Sequence, residues 1–382
     1  MRRGTPEFVG SRLTEARGAR GLSGTALAIA VGVSRQAISQ YEKRNHSPSP
    51  EVLGRLCSVL DVPPSYFVTQ TSESVGPLFF RSFASATRTE RQKQVHQQKW
   101  RHRLVRFLNE YFDFPSACIP QLYKGDPEYL SDREIEKYAS EIRSIFGIGN
   151  GPISSVVRLL ENHGAIIVRT AFDAESLDAF SEWESQREVA YFILNADKES
   201  AVRSRFDLCH ELGHMALHRH LSSASHANRF RLLERQAHRF AGAFLAPSES
   251  FAKSCVWASL EDLIEVKRVW GMSISAMLAR SRDLGLISES IYRRKMTQLG
   301  RRRWRKREPL DGTTLPEQPM LLRRGIDTLL ETRIVGRRDL EELGAGSLRD
   351  IERCVGLPHG YLDEPIRTKQ AMHIFRFRAQ ES

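Results

Sequence analysis

Cysteine is scarce in this chain. Only five occur in 382 residues (Cys57, Cys118, Cys209, Cys255 and Cys354), odd in number, far apart and without a CxxC pair. That usage argues against a disulfide framework or a cysteine-type zinc module and points to a reducing, cytoplasmic setting. Long apolar runs are also missing: nothing approaches the ~20 residues that cross a bilayer, so no membrane partner is expected. Residues 26–33, with Arg17 and Arg20 before them, look superficially like a signal-peptide core. Glu7 and Glu15 precede that stretch, however, and a helical reading explains it better. No internal repeat is present. Acid is in the minority, with 46 Asp+Glu against 57 Lys+Arg and a net charge of +11. An excess of that size suits a polyanionic partner, most often nucleic acid. Hydrophobic content of 41% with 27% charge excludes wholesale disorder.

The length suggests two to four domains. The expected fold is mainly α with a small β-sheet: an all-helical amino-terminal domain, an α+β domain, then a helical carboxy-terminal region. The expected boundaries are 1–70, a linker and helical segment at 71–135, the α+β domain at 136–255, a helical domain with a basic segment at 256–310, and 311–382. Residues 71–77 are small and polar. The stretch 87–106, rich in Gln, Arg and Lys, reads as a solvated helix joining domains. Residues 165–169 and 189–194 are apolar and β-branched enough for two strands, flanking an acidic loop with Glu182, Glu184 and Glu188.

Residues 12–17 open a helix in the amino-terminal domain. Ser23 N-caps a second helix that leads to Gly32, where a tight turn is needed. Ser34 caps a third, spanning 34–42. Ala37, Ile38 and Tyr41 can face a core there, leaving Arg35, Gln36, Ser39 and Gln40 outward, with Lys43 just beyond. Gln pairs bidentately with adenine and Arg with guanine, and Ser reaches a phosphate or base edge, so this helix carries the groups that major-groove readout requires. Over about sixty residues, through Pro48-Ser49-Pro50 and Leu60-Asp61-Val62-Pro63, the pattern resembles the repressor-type (XRE-like) helix-turn-helix family. The resemblance implies binding to double-stranded DNA through Arg35, Gln36, Ser39, Gln40 and Lys43, with a homodimer as a further candidate assembly. The chain departs from that family at Gly24, where Gln is usual, and at Arg44, where Gly is usual. Asn45 is then the residue expected to supply the left-handed cap.

The strongest chemical signal is His210-Glu211-Leu212-Gly213-His214. Residues four apart lie about 40° apart around a helix, so both imidazoles face one point. Two neutral imidazoles bind Zn²⁺ well, and Glu211 flanks the metal where it can take a proton from water. Phe206, Leu208, Leu212, Met215 and Leu217 make the helix largely buried, where unpaired histidines would be costly. Four residues compete to be the third ligand. His220 has the right ten-residue spacing from His210, but Leu217 stands where a helix-breaking Gly would be needed. His218 continues the same helix face, too far along one straight helix to cap one ion. Glu234 and His238 share a face of the next helix, four residues apart.

Residues 206–214 with His218, then Glu234-x-x-Ala237-x-x-Phe240-Ala241 and Leu245-Ala246-Pro247, resemble the ImmA/IrrE metallopeptidase family. Leu194-Asn195 upstream and residues 270–273 downstream extend the likeness, which runs from about residue 78 to about 309. It implies a zinc endopeptidase (Mn²⁺ being the alternative metal) whose ligands are His210, His214 and Glu234. Glu211 is then its catalytic base and a helix-turn-helix repressor its substrate. His238 stands where the family commonly has Asn, and as a fourth protein ligand it would fill the water position.

Residues 293–307 hold nine Lys/Arg and no acid, with Tyr292 and Trp304 interleaved or adjacent. A nucleic-acid contact, a solvated helix end and a repressor-docking face all fit that composition. Cys209, beside the first histidine, reads as a small buried hydrophobe. Three functional classes follow: a zinc endopeptidase fused to a DNA-binding module, a transcription regulator whose metal is structural or sensory, and an antitoxin-like protein that sequesters a partner.

Overall fold

The computed structural model describes residues 5–70, 75–76, 78–80, 87–173, 177–197, 200–222, 225, 228–254 and 259–363. Most of the linker expected at 71–77, Cys255 and the chain after 363 lie outside the described residues. The protein is mainly helical with one four-stranded sheet among the described residues, in the order helical region, strand-bearing domain, helical carboxy-terminal region. Contacts divide it into two compact units. One comprises the described residues of Met1–Val75, Ala86–Phe114 and Met320–Ser382, the other those of Gly76–Ser85 and Pro115–Pro319.

The first unit opens with α1 (Gly10–Ala19), α2 (Gly24–Val31), α3 (Arg35–Glu42) and α4 (Pro50–Leu60). Serine hydroxyls start three of them: Ser23, Ser34 and Ser49 accept from the backbone N–H of Ala26, Ala37 and Val52. Gly32 closes α2 at φ 70°. A Cβ on Gly10 would stand 2.2 Å from the Tyr41 carbonyl oxygen, so α1 can begin against the end of α3 only with glycine there. The left-handed residue after α3 is Arg44 (φ 62°), one position earlier than the expected Asn45. The Asn45 N–H returns to the Gln40 carbonyl at 3.0 Å and the Arg44 N–H to Tyr41 at 3.2 Å. That pair of bonds closes a Schellman turn and puts the left-handed position on Arg44.

Helix α5 (Arg88–Leu108), opened by a Thr87/Glu90 capping box, departs most from its hydropathy. Gln94, Gln98, Arg101, His102 and Arg103 are buried, not solvated. Most of their polar atoms pair with one another and with the first helix, which permits the burial. Arg101 donates to Gln98 at 3.1 Å, and Arg103 donates twice to Glu15 at 2.7 Å. Glu15 also accepts from Arg12 (2.7 Å), Tyr66 (2.8 Å) and the Trp100 indole (2.8 Å). Arg12 and Arg103 both donate to the Gly344 carbonyl at 2.7 Å. Residues 320–363, with helices Leu321–Glu331, Arg337–Glu342 and Leu348–Val355, thus fold with the amino-terminal helices.

The second unit carries the sheet, in the order β1-β3-β4-β2: β1 (Leu78–Phe80), β2 (Ala165–Thr170), β3 (Ala179–Glu184) and β4 (Val189–Asn195). β2 and β4 are parallel, and β3 is antiparallel to β4 and to β1. Both expected strands are present, each one residue longer. The expected acidic loop is largely strand β3, with Glu182 fully buried and hydrogen-bonded to the Gly76 N–H at 2.6 Å. One face of the sheet, through Ala179, Ala190, Phe192 and Leu194, joins a core with α6 (Asp132–Ile145), α7 (Val156–Asn162), α8 (Ala201–Leu217) and α9 (Phe230–Leu245).

Candidate metal centre and recognition helix

Ser200 caps α8, and from Asp207 to Leu217 every residue of that helix is buried. Gly213 sets how close α9 comes: a Cβ there would meet the Phe240 ring at 3.1 Å. The close crossing brings Glu234 to the two histidines. His214 Nε2 lies 3.1 Å from His210 Nε2 and 3.1 Å from one Glu234 oxygen, and His210 Nε2 lies 3.3 Å from the other. A tetrahedral zinc with bonds of about 2.0–2.1 Å spaces its ligand atoms roughly 3.3 Å apart. The donor set and its spacing fit a divalent transition metal. Among the described residues this is the one such cluster of three.

The far side of each imidazole is also engaged. His218 Nδ1 sits 3.0 Å from His214 Nδ1, and His218 Nε2 lies 3.0 Å from Gln236 Oε1. Gln236 turns its amide nitrogen to the Pro127 carbonyl at 2.7 Å, which fixes its oxygen towards His218. The protons follow in sequence: His218 carries hydrogen on Nε2 and accepts on Nδ1, His214 donates from Nδ1, and the His214 Nε2 lone pair faces the cluster. Gln236→Ala is therefore expected to weaken zinc binding about 10–100-fold, read by competition with a chromophoric chelator. An unchanged Kd would show that this chain of bonds does not set the tautomer.

His238 Nδ1 is 3.0 Å from His210 Nδ1, on the ring edge away from Glu234 and His214. It thus backs a ligand candidate and does not join the cluster. His220 is exposed and bonds the Gly125 carbonyl at 3.0 Å. Helix α8 stops at Leu217, earlier than the absence of glycine there suggested, yet His220 still turns away. Glu211 is fully buried and accepts from the Ser181 hydroxyl at 2.6 Å. Sequence reasoning missed Ser181, because its strand was read as loop; the available signal was a lone small hydroxyl between Phe180 and Glu182. Cys209 is fully buried, and burial pushes its thiol well up, so it packs as a hydrophobe.

His210 and His214 are fully buried, and Glu234 retains 16% exposure, which makes it the approach to the cluster. Glu234 and His238 line a cleft of about 730 Å³ walled also by Phe206, Tyr292 and Trp304.

Residues 160–282 match the family model of the IrrE N-terminal-like domain of the M78 peptidases, and residues 9–65 match a helix-turn-helix domain. The two matches in this order correspond to the ImmA/IrrE plus helix-turn-helix architecture. The matched peptidase-family span holds β2 to β4, the HExxH helix and Glu234, and is shorter than the 78–309 suggested by resemblance. No curated protein gives a significant match to the chain. On the helix-turn-helix domain, Arg35, Gln36 and Lys43 are exposed, Ser39 and Gln40 are half-buried, and Ile38 anchors α3 in the core. None of the described helices is long and apolar enough to cross a membrane.

Proposed function

We propose that the protein is a cytosolic zinc-dependent endopeptidase fused to a DNA-binding module, and that its substrate is a helix-turn-helix repressor. The observation that supports this best is the convergence of His210, His214 and Glu234 at zinc-like spacing, with the buried Glu211 next to His210 on the same helix. A divalent ion held by these three supplies the positive charge that acidifies water and polarises an amide carbonyl. Glu211 takes the proton from water and passes it to the leaving amine, and the Ser181 hydrogen bond holds its carboxylate in place for that transfer. The IrrE-like domain favours a protein substrate, and the fused DNA-binding module favours one met at a promoter. The test is incubation of the metal-loaded protein with helix-turn-helix repressors from the same genome. A discrete cut that a chelator prevents supports the proposal, and an intact repressor with metal present counts against it.

The DNA-binding part has its own expected result. In the proposal α3 enters the major groove, with Gln36, Ser39 and Gln40 reading bases and Arg35 and Lys43 reaching phosphates or guanine, as a homodimer on a two-fold site. Charge reversal at Arg35 or Lys43 should weaken operator binding and lower the salt slope by about one each. Unchanged affinity in a mobility-shift assay would remove α3 from the groove.

A second reading has one observation in its favour. Complete burial of both histidines suits a metal-stabilised or metal-sensing regulator without proteolysis. Such a protein would keep its regulatory effect in Glu211→Gln, whereas a peptidase would lose it.

A further inference from the structure

The basic segment at 293–307 falls in two parts, helix Glu289–Arg301 and the turn that follows it. Tyr292, Met296, Trp304, Arg305 and Lys306 all line the cleft that Glu234 and His238 share. Of the six acids that line the cleft, five face cations of the same unit and the sixth, Glu234, faces the two histidines. Asp132 pairs with Arg239 at 3.1 Å, Asp283 with Arg282 at 2.8 Å, Asp207 faces Arg203 at 3.9 Å, and Glu308 and Asp311 both hold Lys267, at 2.9 and 2.5 Å. Three cations of the wall, Arg235, Arg305 and Lys306, are exposed and have no acidic partner among the described residues. The exposed, unpaired charge on the wall of this cleft is therefore cationic. The cleft also carries an apolar wall of Phe206, Tyr292, Met296 and Trp304.

We infer that this cleft binds the part of a protein substrate next to the scissile bond, and that it selects an acidic segment with an apolar residue beside it. The inference rests on the peptidase reading and adds the substrate's chemistry to it. Uncompensated cations on the wall attract carboxylates, and the low-dielectric aromatic surface beside them strengthens that attraction. The aromatic wall accepts an apolar side chain, which a phosphate backbone does not offer. Glu234, as a lining residue, places the bound segment beside the cluster, whereas a duplex contact would need only the cations. The acidic peptide is therefore favoured over DNA as the occupant.

The test uses the zinc-loaded full chain and hydroxamate peptides, in which the hydroxamate anchors to metal. Glu-Glu-Leu and Gln-Gln-Leu versions are made with the hydroxamate at the carboxyl end and again at the amino end. Calorimetry at low salt should show the Glu version binding about tenfold tighter in at least one orientation, the sum of two partly exposed ion pairs. That preference should vanish in Arg305→Gln/Lys306→Gln, with zinc content and far-UV circular dichroism unchanged. Equal binding of Glu and Gln versions in both orientations overturns the inference, as does a preference that survives the double variant. Loss of non-specific duplex affinity in the double variant, with no peptide preference in the parent, would assign the surface to nucleic acid instead. If no hydroxamate binds at all, the metal-peptidase reading itself has failed.

Discussion

Glu211→Gln should leave the metal in place and lower peptide hydrolysis at least a hundredfold, the lower end of what a positioned acid–base group contributes. The amide has the same shape as the carboxylate and fills the same fully buried space, so packing around α8 is preserved. Ser181 still has an oxygen to bond at the position it now occupies, 2.6 Å away. What disappears is the ability to accept a proton from water. Metal content measured on the same sample separates this outcome from an assembly defect. Ser181→Ala is the milder companion: it should lower kcat with KM and metal content unchanged, because it frees the orientation of Glu211 without removing the base. A Glu211→Gln protein that cuts its substrate at the parental rate would take the base away from this residue.

Glu15→Ala should destabilise the amino-terminal unit by about 3–5 kcal/mol, the usual cost of stripping one member from a buried charge cluster. Arg12, Arg103, Tyr66 and Trp100 all donate to this one carboxylate, and its side chain is only 5% exposed. Its removal takes the shared carboxylate away from two buried guanidiniums. For a unit of this size the melting midpoint should fall by roughly 6 °C or more. The pH dependence has a definite sign. Burial by itself raises the Glu15 carboxyl, but the hydrogen bonds and charge of Arg103, helped by Arg12, outweigh it and hold the group below its ordinary value of 4.5. The stabilisation is thus complete at neutral pH and is lost as pH falls through the depressed value. Parent and variant should differ most above about pH 5 and converge on acidification. A variant that melts with the parent at pH 7 would show that this cluster does not hold the unit together.

The parts of the protein legible in the sequence are those written in local chemistry. Ser23, Ser34 and Gly32 announce the caps and turn of the helix-turn-helix domain. The i, i+4 histidines announce a shared face on α8. What stayed hidden depends on partners distant in sequence. β3 reads as an acidic loop because Glu182 and Glu184 look solvent-seeking. Glu182 is buried because the Gly76 N–H, 106 positions away, satisfies it. Helix α5 reads as solvated because hydropathy cannot know that its Arg and Gln side chains meet one another, Glu15 and Gly344. The choice between Glu234 and His238 rested on resemblance. The residues around them, by contrast, separate their positions: one faces both Nε2 atoms and the other backs the Nδ1 of His210. Arg44 in a left-handed conformation shows the same limit, since two backbone hydrogen bonds decide which residue after α3 turns.

Zinc content per chain, measured on the parent protein and on Glu234→Ala and His220→Ala, tests the central claim most directly. The expected result is about one zinc per chain in the parent, near none in Glu234→Ala and about one in His220→Ala, following a two-histidine, one-carboxylate site. Zinc retained by Glu234→Ala, or lost from His220→Ala, would contradict it.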